Sequence, residues 1–220
     1  MTQRVFGIAT AGIAVLWLLH CISVFFYPLG NDPAIFQYHA WAMSLGEIPY
    51  VDSFDVNTPG IILLHWLWGS LFGYSDPAFL SLSTLLSTAA IGGSVWVLRK
   101  RSKAALLVAM SIGIWAFISI TPWDRGQREL FQGFLLLLAL LAGSRERYLW
   151  AGICLGSAVT IKAPILLILA PVGLMWLWRY RPPLTAIRAL VIGALIPIVV
   201  VFCWLALIGA WDDFWWIQWH

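Results

Sequence analysis

"VFGIATAGIAVLWLLHCISVFFY", residues 5–27, runs for 23 residues without a charge, and a helix needs about 20 apolar residues to cross a bilayer core. It is too long for the apolar region of a signal peptide and lacks a small-residue cleavage pattern. It therefore reads as a first membrane anchor. Residues 77–98 and 104–120 are further charge-free runs, of 22 and 17 residues. Of the 220 residues, 61% are hydrophobic and only 10% charged, against about 25% charged in a soluble domain. These features imply an all-α, polytopic integral membrane protein.

The basic residues set an expected topology. Arg4, the cluster Arg99, Lys100, Arg101 and Lys103, the pair Arg145 and Arg147, and the group Arg179, Arg181 and Arg188 punctuate the apolar runs. Cytoplasmic loops carry the excess of Lys and Arg, so the N-terminus is expected inside. About seven crossings follow, over 5–27, 77–98, 104–120, 129–143, 148–161, 163–178 and 186–208. The acidic residues, unused in that choice, then fall almost entirely outside: Asp32, Glu47, Asp52, Asp55, Asp76, Asp124, Glu129, Asp212 and Asp213, with Glu146 as the exception. The functional face is therefore expected to be external. The three cysteines, Cys21, Cys154 and Cys203, sit in apolar runs and suggest neither a disulfide framework nor a zinc site. Nothing in the charge distribution indicates a nucleic-acid partner.

The first outer loop, 28–76, is expected to be structured by two interfacial helices. Residues 33–45 carry Ile35, Tyr38, Trp41 and Leu45 along one side. Residues 61–73 are apolar, but counting them as a span would move Arg99–Lys103 outside, so they read as a helix lying in the outer leaflet. Between the two lies "GEIPYVDSFDVNTPG", residues 46–60, which gathers Glu47, Asp52 and Asp55 although no Lys or Arg occurs between Arg4 and Arg99. Asp52, Asp55 and Asn57 are either turn-forming polar residues or oxygen donors to a divalent cation. Asp32, before Pro33, is either a helix cap or a carboxylate with a free oxygen able to act as a general base.

Three other stretches stand out. "DRGQRE", residues 124–129, is either a solvated turn whose arginines pair with Asp124 and Glu129, or an arginine clamp on a phosphate by Arg125 and Arg128. The 31 residues between Arg147 and Arg179 are long for one crossing and short for two. Two short helices meeting at "TIKAP" would leave Lys162 below the outer surface, where a lysine calls for an anion or a polar cavity. "WDDFWWIQWH", 211–220, reads as an aromatic membrane belt or as a sugar-stacking platform. His20 reads as an interhelical hydrogen-bonding group, and His39 and His65 as interfacial. The sequence carries no Ser–His–Asp pattern, phosphate-cradling glycine loop or HExxH motif.

Asp32, "YHAWAMSLGEIPYVDSFDVNTPG", "RGQREL" and "AGICLGSAVTIKAP" together resemble the N-terminal half of GT-C membrane glycosyltransferases, in the bacterial branch akin to protein O-mannosyltransferases and lipid A aminoarabinose transferases. The resemblance covers nearly the whole chain as a single domain, 1–220, and implies truncation at the C-terminus. It implies inverting transfer of a sugar from a polyprenyl phosphate to an acceptor on the outer face of a bacterial inner membrane. Asp32 matches the family's base, Pro59–Gly60 its proline-rich pair, and Lys162–Pro164 its Lys-Pro element, while Arg125 and Arg128 stand near the expected lipid phosphate. Tyr38, His39, Glu47, Tyr50, Asp52, Asp55 and Asn57 are then expected to line the substrate or acceptor loop, with Asp52 and Asp55 as candidate metal ligands. A non-catalytic subunit binding a lipid-linked glycan or a partner protein is the alternative. A transporter comes third, because apart from Lys162 and His20 the spans lack ionisable groups.

Overall fold

The computed structural model describes residues 3–98, 106–107, 110–114 and 126–220. Asp124, Arg125, the basic cluster 99–103 and most of the expected span 104–120 lie outside the described residues. What is described is helical, without strands: α1 Gln3–Val24, α2 Asn31–Ser44, α3 Pro59–Phe72, α4 Asp76–Leu98, α5 Arg128–Gly143, α6 Tyr148–Ile161, a 3-10 turn Ala163–Ile165 leading into α7 Leu166–Tyr180, α8 Leu184–Leu207 and α9 Trp211–Trp219.

Four helical segments are long and apolar enough to cross a membrane: α1, α4, the unit Ala163–Tyr180 and α8. Their outer surfaces are apolar as well. Leu167, Trp178, Val200 and Leu207 are all exposed, the reverse of the pattern on a soluble protein. At 16 and 14 residues, α5 and α6 fall short of the ~20 residues a crossing takes. Among the described residues, the seven crossings expected from sequence therefore reduce to four full-length segments and two short helices.

Glycine lets the short helix α6 approach α8 backbone to backbone. A Cβ on Gly152 would lie 2.1 Å from the Leu190 carbonyl oxygen, one on Gly156 2.1 Å from that of Ala194, and one on Gly193 2.2 Å from that of Leu149. This is the small-residue spacing, G-x-x-x-G, by which membrane helices pack closely.

Helix directions put the charge clusters at opposite ends. From Arg128, α5 runs to Gly143, α6 returns from Tyr148 to Ile161, and α7 leads away again to Tyr180. Arg145 and Arg147 are thus one helix length from Arg128, about 24 Å at ~1.5 Å per residue. The Arg145 guanidinium lies 5.4 Å from the Trp96 ring centroid, near the far end of α4.

The loop 28–76 folds over the other end. Its two short helices agree with the sequence expectation, and the α2 side chains Ile35, Tyr38 and Trp41 are exposed in one stripe, as is Leu45 just beyond the helix. The opposite side of α2 buries Phe36, His39 and Ala40. The C-terminal α9 docks on this loop through the Tyr50–Phe214 ring contact, centroids 5.1 Å apart, and through Gln218 Nε2, which donates to the Val56 carbonyl at 3.1 Å. Part of the Trp-rich terminus is therefore a structural lid on the loop, while Trp216 and Trp219 face outward.

Candidate functional site

Four chain-distant pieces meet at the loop end of the bundle: the start of α2, the segment leading into α3, the start of α5 and the end of α6. The junction begins with the break after α6. Lys162 is extended (φ −157°, ψ 100°), and Pro164, lacking an N–H, suits the short 3-10 turn that follows. Ending a helix leaves backbone carbonyls without helical donors. Distant side chains add donors at this end. Gln132 Nε2 of α5 donates to Ala158 O and Lys162 O, both at 2.9 Å, and Thr58 Oγ1 donates to Ile161 O at 2.6 Å. Gly60 is the reason the loop can come so close, since a Cβ there would lie 2.5 Å from the Thr160 carbonyl.

Arg128 is the hub. Its guanidinium donates through Nη1 to Asn57 Oδ1, lies 3.9 Å from the Asp32 carboxylate through Nη2, and stacks 5.3 Å from the centroid of buried Phe36. The Asp32 side chain is 46% exposed, so a ligand can reach it. It is not the helix cap that the sequence allowed. The helix starts two residues early, Gly30 takes the capping position without a side-chain bond, and the Gly30 carbonyl accepts the Ala34 N–H at 3.0 Å. Asp32 sits inside the first turn, where the helix dipole favours a negative charge and Pro33 costs no hydrogen bond.

The remaining sequence candidates divide by depth. Asp55 is buried, its Oδ1 accepting from Asn57 N at 2.8 Å and from Asn57 Nδ2 at 2.5 Å. Its Oδ2 lies 3.4 Å from His39 Nε2, and His39 Nδ1 is 3.0 Å from Ser53 Oγ. A Ser–His–Asp row thus exists in space although no such pattern shows in sequence. It has the carboxylate on Nε2 and the serine on Nδ1, the reverse of a hydrolytic triad. Tyr50 is buried with its hydroxyl donating to Asn57 O at 2.7 Å, and it takes φ 73°, a left-handed backbone unusual for so large a residue. Burial first, and the Asp55 charge second, push its phenol well above the ordinary value. Asp52 closes the local turn by accepting from Ile48 N at 2.7 Å, while Glu47 and Tyr38 are exposed.

Lys162 pairs with Glu129 at the exposed rim, beside Arg128. Glu129 therefore serves Lys162, and the pairing with Arg125 that the sequence offered lies outside the described residues. Arg128 and Lys162 are both at the junction; Arg125 lies outside the described residues. Asp52 and Asp55 are each engaged internally, and among the described residues no group of three or more His, Cys, Asp or Glu side chains is arranged to hold a metal ion.

No family model, curated protein or solved structure matches the chain.

Sequence reasoning missed Gln132, Phe36 and Ser53. Gln132 had a usable signal, being a lone amide in an apolar run, four residues after Arg128 and so on the same helix face. His65 proves deeper than an interfacial reading allows, stacked on Phe79 at a centroid distance of 3.6 Å with both ring nitrogens unpartnered among the described residues.

Proposed function

We propose that this chain forms the membrane core of a GT-C glycosyltransferase, which transfers a sugar from a polyprenyl phosphate to an acceptor, with inversion, at the outer face of a bacterial inner membrane. The observation that carries the reading is the pairing at the junction: a ligand-accessible carboxylate, Asp32, beside the cation Arg128, with Lys162 at the same rim. Glycosyl transfer makes two charge changes at once. The acceptor hydroxyl oxygen bonds the anomeric carbon as its proton passes to Asp32, while the bond from that carbon to the phosphate oxygen breaks and negative charge collects on the phosphate. Arg128 and Lys162 are suited to hold that phosphate, and fixed partners for developing charge lower the barrier. The polar loop fits the place of the acceptor, and the exposed α2 stripe fits the outer leaflet beside a lipid donor. The reading takes from the basic residues the expectation of about seven crossings with a cytoplasmic N-terminus, of which four are full-length among the described residues.

The test is mass spectrometry of lipids that co-purify in mild detergent. Wild type should retain a polyprenyl phosphate or its glycoside, and an Arg128→Ala, Lys162→Ala double variant should lose it. Bulk phospholipid alone in both would refute the donor site. Full transfer activity in Asp32→Asn would remove Asp32 as the base.

A further inference from the structure

His39 and Asp55 are too deeply buried to touch an acceptor, which leaves the purpose of a carboxylate inside an apolar loop unexplained by substrate contact. We infer that Asp55 and Asn57 form a positioning relay that aims Arg128, with His39 clamping Asp55 from behind. The inference rests on the proposal that Arg128 holds the donor phosphate.

The chemistry of the groups fixes the relay's polarity. A carboxylate accepts hydrogen bonds and a guanidinium only donates them. Asn57 lies between one of each: its Nδ2 donates to Asp55 Oδ1 at 2.5 Å, and its Oδ1 accepts from Arg128 Nη1. Turning the amide over would set an NH2 against the guanidinium and a carbonyl against the carboxylate, so only one orientation satisfies both neighbours. Asp55 therefore dictates which end of Asn57 Arg128 meets. It is itself held by the Asn57 backbone N–H at 2.8 Å and flanked by His39 Nε2 at 3.4 Å. His39 is anchored in turn by Ser53. With Nη1 engaged by Asn57 and the guanidinium plane set over Phe36, Nη2 is directed to the Asp32 side of the junction. The relay thus joins a buried anion in one loop to the direction of a cation on another helix, 71 residues along the chain from Asn57.

The test exploits that polarity in the full chain, with farnesyl phosphate in detergent as the probe and calorimetry as the readout. Asp55→Asn removes the acceptor that orients Asn57, and Asn57→Asp sets two carboxylates against each other. Each should weaken binding about tenfold, the loss of roughly one good charged hydrogen bond. The double variant Asp55→Asn, Asn57→Asp transposes the pair. The amide it places at position 55 donates to the carboxylate it places at position 57, whose other oxygen accepts from Arg128, and total charge is unchanged. It should recover most of the lost affinity, a rescue that a merely structural role would not produce. Singles that bind like wild type, or a folded double no better than the worse single, overturn the relay. Arg128→Ala separates the two ideas. If that variant binds farnesyl phosphate as wild type does, the donor-site reading fails, and the relay is judged by a thermal-stability cycle instead. The cost of Asp55→Asn must then shrink when Arg128 is absent, and additive costs overturn it.

Discussion

Replacing Gln132 with leucine isolates the contribution of one side chain to the helix break. Leucine keeps the volume and deletes two hydrogen bonds, those from Nε2 to Ala158 O and Lys162 O. Whether the loss is large depends on what the carbonyls keep. Ala158 O still accepts from Lys162 N at 3.2 Å, and Lys162 O from Ile165 N at 3.2 Å. Neither acceptor is orphaned, so the burial penalty for an unsatisfied group does not apply. Only the net value of the two bonds is lost, about 1 kcal/mol each and about 2 kcal/mol in all. In a chain of this length, at about 2–4 °C per kcal/mol, the melting temperature should fall by about 4–8 °C. Gln132→Glu should be worse, because its carboxylate would face the same two carbonyl oxygens. Thermal unfolding in one detergent, read by tryptophan fluorescence, orders the three proteins. A leucine variant within about 1 °C of wild type, or a glutamate variant more stable than the leucine one, would show that Gln132 does not hold the break together.

Gly156→Leu drives a side chain into the Ala194 backbone, where even a Cβ would stand 2.1 Å from the carbonyl oxygen; the variant should aggregate or elute early in size-exclusion chromatography. Glu129→Gln frees Lys162 from an exposed pair worth at most about 1 kcal/mol, so farnesyl phosphate affinity should rise by no more than about fivefold, with a smaller gain in high salt. Tyr50 gives a signature at alkaline pH. Its phenol is raised in the folded protein, so the unfolded chain loses its proton first, and stability should decline as pH climbs past the ordinary tyrosine value of about 10. Tyr50→Phe should flatten that decline in a melting-temperature series. Trp41→Cys labelled with an environment-sensitive dye should report an apolar medium in proteoliposomes, and an aqueous spectrum would contradict the lipid-facing stripe on α2.

The helices were the legible part. Charge-free runs marked α1 and α4, and the basic groups bracketed α8, because crossing a bilayer demands length and apolarity, both local properties. "TIKAP" announced its own break through Pro164 and a lysine that no apolar span accommodates. The motif at Gly152 and Gly156 was also in plain view, but its meaning depends on Gly193 in another helix. The candidate site was legible as an inventory and not as a wiring diagram. Asp32, Asn57, Arg128 and Lys162 could be named from residue type, yet the side chains they meet come from remote parts of the chain; the Arg128 to Asn57 bond alone spans 71 positions. Nothing local distinguishes Asp55, a buried structural anion, from Asp52, which closes a turn at the surface. The acidic loop that lacked any nearby cation finds one in Arg128, on a helix that the chain reaches only after α4.

That distance bears on how the protein is made. Thr58 meets Ile161 across 103 residues, and Asn57 waits for Arg128. While the chain threads into the bilayer, the loop between α2 and α3 emerges well before α5 and α6 exist to receive it. Its polar groups must remain hydrated through that interval, and Glu47, Asp52, Ser53, Asp55 and Asn57 hold the segment in water although Ile48, Tyr50, Val51, Phe54 and Val56 lie among them. Synthesis halted after α4 should leave the loop open to protease, and release of α6 should close it. The same residues that aim a cation in the finished protein thus also keep an unfinished one from burying itself in the wrong place.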